Sequence, residues 1–240
     1  MHSGSPEAQR PVIVLGAGGH AAVLIDALQG SGRVVLGCLT VDGKPGDAGP
    51  LGTEILGGDD VLSRYQPTAV ELVNGVGATD TATAPGGLVR HHLQRTWQRR
   101  GFVFATILHP AAILAAGCDI AAGVQIMAGA IVQTGTCIGA GSIVNTGARI
   151  DHDGAIGAQV HIAPGATLCG QVTVGDGAFI GAGATIIPGI AIGDGARIGA
   201  GMTILADVPA DARLAPADSP CWHGATPENP AIRLIAATIP

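Results

Sequence analysis

The stretches Ile138-Gly139-Ala140-Gly141-Ser142-Ile143-Val144-Asn145-Thr146-Gly147-Ala148-Arg149-Ile150 and Ile192-Gly193-Asp194-Gly195-Ala196-Arg197-Ile198-Gly199-Ala200-Gly201-Met202-Thr203-Ile204 share one phase. Working outward from them, every sixth residue from Leu114 to Ile204 is Ile, Leu or Val, sixteen positions in sixteen with no slip. Such a run is not a product of chance, and internal repeats of this kind signal a solenoid. A second column, Gly117 to Gly147 and again Gly177 to Gly201, lies three residues after the aliphatic. A third, one residue after it, holds Gly139, Gly157, Gly175, Gly181, Gly193 and Gly199. Both suit tight corners, where glycine supplies positive φ. One short strand and one corner per unit, three units per coil, put the aliphatics inside a triangular prism of about five coils, each burying what no single unit could bury alone. An α-helix is excluded, because positions spaced by six do not keep to one face at a 3.6-residue period.

Composition agrees. Apolar residues make up 47% of the 240-residue chain but aromatics only 2%, so bulk comes from aliphatics packed against close backbones, as a repetitive β structure needs. The net charge of −6, without a Lys/Arg-rich run, lacks the footprint for nucleic acid. The start MHSGSPEAQR has no signal-peptide pattern and no apolar stretch is long enough for a membrane span, so a cytoplasmic protein is expected. Cys38, Cys118, Cys137, Cys169 and Cys221 are odd in number and have no CxxC spacing, which predicts buried free thiols rather than disulfides or zinc.

The N-terminal half reads differently. Pro11–Leu15 is a short buried strand, Gly16-Ala17-Gly18-Gly19-His20 a glycine turn, and Ala21–Leu28 a helix. Backbone amides at such a helix start can cradle a phosphate. A strand over Val34–Thr40, a loop from Asp42 to Gly58, a strand over Ala69–Val73 and a helix over Leu88–Arg100 follow, with Arg90, Arg95, Arg99 and Arg100 expected on a solvated face. About 90 residues are too few for a full dinucleotide fold, so a three- or four-stranded Rossmann-like parallel sheet is expected, and an NAD-dependent enzyme ranks last. The domains are then an unstructured or tag-like start at 1–10, a small α/β domain at 11–106, the prism at 107–212 and a tail at 213–240.

The repeats resemble those of bacterial hexapeptide-repeat acyltransferases. VIVLGAGGHAAVLIDAL, Asp42, the NGVG at 74–77 and the ILHP at 107–110 sharpen the resemblance to sugar acetyltransferases of the NeuD/PglD type, which make sialic acid O-acetyl or nucleotide-sugar N-acetyl products. The resemblance spans about residues 11–209 and implies a left-handed parallel β-helix, a homotrimer and acetyl-CoA bound between neighbouring prisms. It also implies that the N-terminal sheet holds a nucleotide-linked amino sugar, which makes Gly16, Gly18, Gly19, His20 and Asp42 candidate substrate contacts.

Acetyl transfer needs a base and a donor for the developing oxyanion. The prism has two histidines, His152 and His161. His152 stands two places after an inward aliphatic with Asp151 and Asp153 beside it, and a carboxylate there favours the imidazolium formed during transfer. The family pattern places its catalytic histidine here, followed by an acidic residue, so His152 is the expected general base and Asp153 its orienting partner. The resemblance further implies that His161 borders the thioester, that Gly170 offers an N–H to its carbonyl, that Ala182 and Ala200 line the pantetheine arm, and that Asn145 contacts the acceptor or supports the base. Cys169 is read as a packing residue rather than an acyl carrier, and His109-Pro110 as the start of the prism. No metal is expected: a γ-carbonic-anhydrase-like site needs three histidines.

The chain departs from the family at Leu214-Ala215-Pro216-Ala217-Asp218, where Ala replaces a usual Gly and Asp a basic residue near the coenzyme phosphates. O-acetylation of sialic acid or another sugar hydroxyl needs the same base and oxyanion support, and a catalytically silent binding module is the alternative of another class. The tail carries Trp222 and His223, to which no role is given.

Overall fold

The structure, a computed structural model, describes residues 9–77, 80–81 and 84–215. Most of the 1–10 start, Cys221 and the tail from Pro216 on lie outside the described residues. Four parallel strands form the N-terminal sheet in the order β3 (Ile55–Gly57), β2 (Val35–Leu39), β1 (Val12–Leu15), β4 (Glu71–Asn74). The expected loop at 42–58 therefore contains an edge strand. Only three residues long and set among Gly and Pro, it has no periodicity to betray it. Helix α1 (Gly19–Gly30) follows β1 and buries Ala21, Leu24, Ile25, Ala27 and Leu28. Helix α2 (Gly86–Arg99) follows β4. Arg10, expected to belong to a loose start, pairs with Glu71 at 3.0 Å.

The rest is a left-handed parallel β-helix of two-residue strands on three faces. The first face stacks Ile107–Leu108, Gln125–Ile126, Ile143–Val144, His161–Ile162, Phe179–Ile180, Arg197–Ile198 and Arg213–Leu214. The second stacks Ile113–Leu114, Ile131–Val132, Arg149–Ile150, Thr167–Leu168, Thr185–Ile186 and Thr203–Ile204. The third stacks Asp119–Ile120, Cys137–Ile138, Ala155–Ile156, Thr173–Val174 and Ala191–Ile192. From Ile113–Leu114 onward the second residue of each pair points inward, and Ile126, Val144, Ile162, Ile180 and Ile198 are at most 1% exposed, whereas in Ile107–Leu108 it is Ile107 that is buried and Leu108 that is exposed. Burying each stabilises the prism by about 1.5–3 kcal/mol.

The core has a second inward column, two residues before each aliphatic. Ala130, Thr136, Ala148, Ala166, Ala184 and Ala196 there are wholly buried, and their small size lets three faces meet at the axis. The two glycine columns also do different things. Gly147 has φ 66 and needs the left-handed region, whereas Gly139 is required by proximity: a Cβ on it would sit 2.5 Å from the backbone of Gly157 and Ala158 in the next coil. Where the corner glycine is missing, Asp153 (φ 57), Gln159 (φ 56) and Gln171 (φ 62) adopt the same conformation, at the cost an L-residue bears there. The six-residue step holds through Ile204, then the last coil shortens: Ile192 bridges Val208 and Ile198 pairs with Leu214, each sixteen residues on rather than eighteen. The prism thus runs to Leu214, two residues past the expected boundary, because the shortened coil still needs a strand to cover Arg197–Ile198.

The two parts share a core. Ile107 and Met127 of the prism pack with Val12, Leu24, Leu28 and Val73, and His109 Nε2 approaches Asp26 of α1 at 3.4 Å. Of the four thiols among the described residues only Cys38 is buried; Cys118 and Cys169 are half-buried and Cys137 is exposed, because the last occupies an outward strand position.

Candidate active site

His152 stands on the corner between the second and third faces, just after Arg149–Ile150. Its ring is exposed, and Nδ1 lies 2.9 Å from Asp153 Oδ2 while its backbone N–H donates to Asp151 Oδ1 at 2.8 Å. The hydrogen bond to Asp153 first, and the charge of Asp151 second, raise its pKa above the ordinary 6.5. The left-handed φ of Asp153 is what folds its carboxylate back onto the preceding ring.

Gly170 is one coil above, eighteen residues on, and a Cβ on it would lie 2.6 Å from His152 Nε2. Glycine is therefore the residue that leaves room for the imidazole. The ladder does not use the Gly170 amide, and the same holds for Ala182 and Ala200, whose N–H groups meet no protein acceptor among the described residues. These N–H groups are donors available to a ligand. By contrast, the equivalent amides of Ala158 and Asp176 are capped by Asp176 Oδ1 and Asp194 Oδ1 at 2.7 and 2.9 Å.

The expected residues fall into four groups within one chain. His152, Asp153 and Gly170 share one corner. Ala182 and Ala200 stack on another, between the first and second faces, one coil apart. His161 stands on the first face, 9% exposed, edge-on to Phe179 with centroids 5.1 Å apart. Asn145 joins it, with Nδ2 3.3 Å from His161 Nε2, and its Oδ1 accepts from the Thr146 amide at 2.8 Å. Asn145 thus adjoins His161 rather than His152: nine residues, half a coil, separate the two histidines and turn them to different sides of the prism.

The fourth group is at the carboxyl end of the N-terminal sheet. Since β1 is flanked by β2 and β4, the segments leaving these strands come together: Gly16–His20, Thr40–Asp42 and Asn74–Gly77. Ligands of open parallel sheets bind at this end. Gly16, at φ 101, turns the chain against Gly75, and Gly18 caps α1 without any side-chain acceptor, so the first-turn amides are open to an anion. Asp42 is exposed beside them.

Arg90, assigned to a solvated face with its three neighbours, is buried instead, at 3% exposure. It donates to the carbonyls of Asn74 (2.7 Å), Val76 (3.0 Å) and Gly141 (3.3 Å), and burial lowers its pKa to about 9. Arg95, Arg99 and Arg100 are exposed, Arg100 lying over the Trp97 ring at 4.5 Å. The sequence carried no signal for Arg90, because its partners include a carbonyl fifty-one residues away. Nor did it single out Gln125, which fills an outward strand position yet is 1% exposed and joins His20 at 2.9 Å. Among the described residues no three His, Cys, Asp or Glu side chains cluster, and no helix is long and apolar enough to cross a membrane.

Comparison with known proteins places these features. A family model, the hexapeptide repeat of succinyl-transferase, matches residues 171–206. Curated proteins give no match. A perosamine N-acetyltransferase from Caulobacter crescentus, solved with CoA and GDP-perosamine, is 32% identical over 85% of this chain and 93% of its own, with a TM-score of 0.77. The acetyltransferase domain of PglB from Neisseria gonorrhoeae, solved with acetyl coenzyme A, is 30% identical over 86% of this chain and 96% of its own, again at 0.77. WeeI from Acinetobacter baumannii, 20% identical over 86% of this chain and 97% of its own at 0.67, shares the fold. The α/β sheet, the β-helix and these identities together make the chain a member of the hexapeptide-repeat sugar acetyltransferases of the NeuD/PglD type.

Proposed function

We propose that the protein transfers an acetyl group from acetyl-CoA to the amino group of a nucleotide-linked amino sugar, with His152 as general base. The observation that carries this reading is the pairing of His152 Nδ1 with Asp153 at 2.9 Å while Nε2 lies against Gly170. Asp153 accepts from Nδ1–H, so Nε2 keeps its lone pair and faces outward. The neutral amine attacks the thioester carbon; its N–H proton passes to Nε2 as the new C–N bond forms. The Gly170 N–H holds the oxyanion, the C–S bond breaks, and the imidazolium returns the proton to the departing thiolate.

Donor and acceptor lie on different parts of the chain in this reading. His161 borders the thioester, the open amides of Ala182 and Ala200 line the pantetheine arm, and Gly16, Gly18, Gly19, His20 and Asp42 hold the nucleotide, with Asn145 keeping His161 in place. Because His152 and His161 face different sides of one prism, a complete site takes one from each of two copies, which a homotrimer supplies three times. The relatives crystallised with CoA, acetyl coenzyme A and GDP-perosamine support both ligand classes.

Thiol release from acetyl-CoA, measured with UDP-, GDP- and dTDP-linked amino sugars and with sialic acid, tests the assignment. Release with a nucleotide-linked amino sugar is expected. Release with sialic acid alone would replace it by O-acetylation, and a monomer active at high dilution would remove the shared site.

A further inference from the structure

His20 is the second residue of α1, at the mouth of the glycine turn, yet its ring is tied to the other domain. Nε2 lies 2.9 Å from Oε1 of Gln125, a residue of the first prism face. The orientation of the Gln125 amide is fixed on its far side, where Nε2 stands 2.9 Å from the Asn74 carbonyl. A carbonyl only accepts, so the Gln125 NH2 must face it and the Gln125 oxygen must face His20. The proton on His20 is therefore at Nε2.

We propose that Gln125 is a positioning residue for the nucleotide sugar: it fixes His20 in the Nε2–H tautomer, so that Nδ1 is left as a hydrogen-bond acceptor which reads an O–H or N–H of the ligand. The inference rests on the nucleotide-sugar reading above. The diphosphate of a nucleotide sugar, esterified at both ends and so only an acceptor at neutral pH, is then left to the open amides of the α1 start.

The surroundings keep the ring in that form. Burial first, then the Arg90 guanidinium, push its pKa down to about 4, against the opposing hydrogen bond from Gln125. Arg90 is the charged group that acts on it among the described residues, and it is immobilised by three carbonyls from two domains. One of these is the Asn74 carbonyl that orients Gln125. The ring also packs over Gly77, where a Cβ would meet His20 Cβ at 3.5 Å. Among the described residues Nδ1 has no partner.

Long-range proton–nitrogen NMR on the labelled full chain, with His20 identified by the loss of its signals in His20→Asn, reads the tautomer directly. Expected is Nε2–H, unchanged between about pH 8 and pH 5.5. A nucleoside diphosphate, GDP or UDP, moves the Nδ1 resonance, whereas P1,P2-dimethyl pyrophosphate, whose esterified phosphates offer no donor, does not. Gln125→Glu places a carboxylate against the ring and cannot donate to Asn74; His20 then titrates within the neutral range, and nucleoside diphosphate binding becomes about five-fold weaker at pH 6 than at pH 8. If that variant unfolds, Gln125→Met, which removes both bonds, is expected to show a mixture of tautomers.

An Nδ1–H tautomer in the native protein, a native His20 that titrates above pH 6, or an Nδ1 shift with P1,P2-dimethyl pyrophosphate would overturn the proposal. So would a nucleoside diphosphate that shifts the Gly18 and Gly19 amides but leaves Nδ1 unmoved. Absence of any shift at those amides would instead remove the nucleotide-sugar reading, and the inference with it.

Discussion

The corner that carries His152 and the turn that carries His20 each present an imidazole, and their surroundings push the two rings in opposite directions. His152 stands in solvent between two aspartates, which raise its pKa. His20 is half-buried, and desolvation first, then the charge of Arg90, lower its pKa to about 4. The surroundings of one ring favour its protonated form, those of the other its neutral form. On the proposed function the same side chain serves chemistry at one place and recognition at the other, and the difference comes from neighbours rather than from the residue.

This contrast can be broken first at the reactive ring. His152→Ala is expected to lower kcat by about 10²–10⁴-fold while calorimetry finds acetyl-CoA still bound; near-native turnover would take the base away from this corner. Asp153→Asn keeps the ring but removes the stronger of its two partners. Its kcat should fall about ten-fold, and the acid limb of the pH–rate profile should move to lower pH relative to the native enzyme, since the largest influence that raises the His152 pKa is gone. A limb that stays put would mean that another group titrates. Asp151→Asn, which removes only the second-ranked influence, should move the limb in the same direction by less.

At the His20 ring the readout is stability. Between pH 6.5 and about 4 the unfolded chain takes up a proton at position 20 that the folded chain refuses, so this site's contribution is present above 6.5 and lost as pH falls toward 4. Chemical denaturation across that window should show a shallower loss in His20→Asn than in the native protein; identical slopes would mean that His20 is protonated in the fold.

Much of this was legible in the sequence, for reasons that differ by region. The prism could be read because inward residues must be aliphatic at a fixed step, and the six-residue spacing from Leu114 onward has no competing explanation; the column of Ala130, Ala148 and Ala166 was harder, since small residues suit a surface as well as a crowded axis. His152 and Asp153 are chain neighbours, and Gly170 is one full coil on, so their meeting follows from counting. The separation of His152 from His161 was present in the same arithmetic, as half a coil. Arg90 and Gln125 were illegible because their burial is created by the docking of two domains, which no local pattern encodes.

The direct stacking of Gly139 on the backbone of the next coil makes this architecture a counting device. Splicing six extra residues between His152 and Gly170 would keep every strand in phase yet carry Gly170 to the next corner, out of reach of the imidazole. Splicing in eighteen would return it to the same corner about 4.8 Å higher. Loops can lengthen at the corners without changing that count, so variation among such chains should collect in corner excursions and in whole turns of the solenoid, never in the strands between.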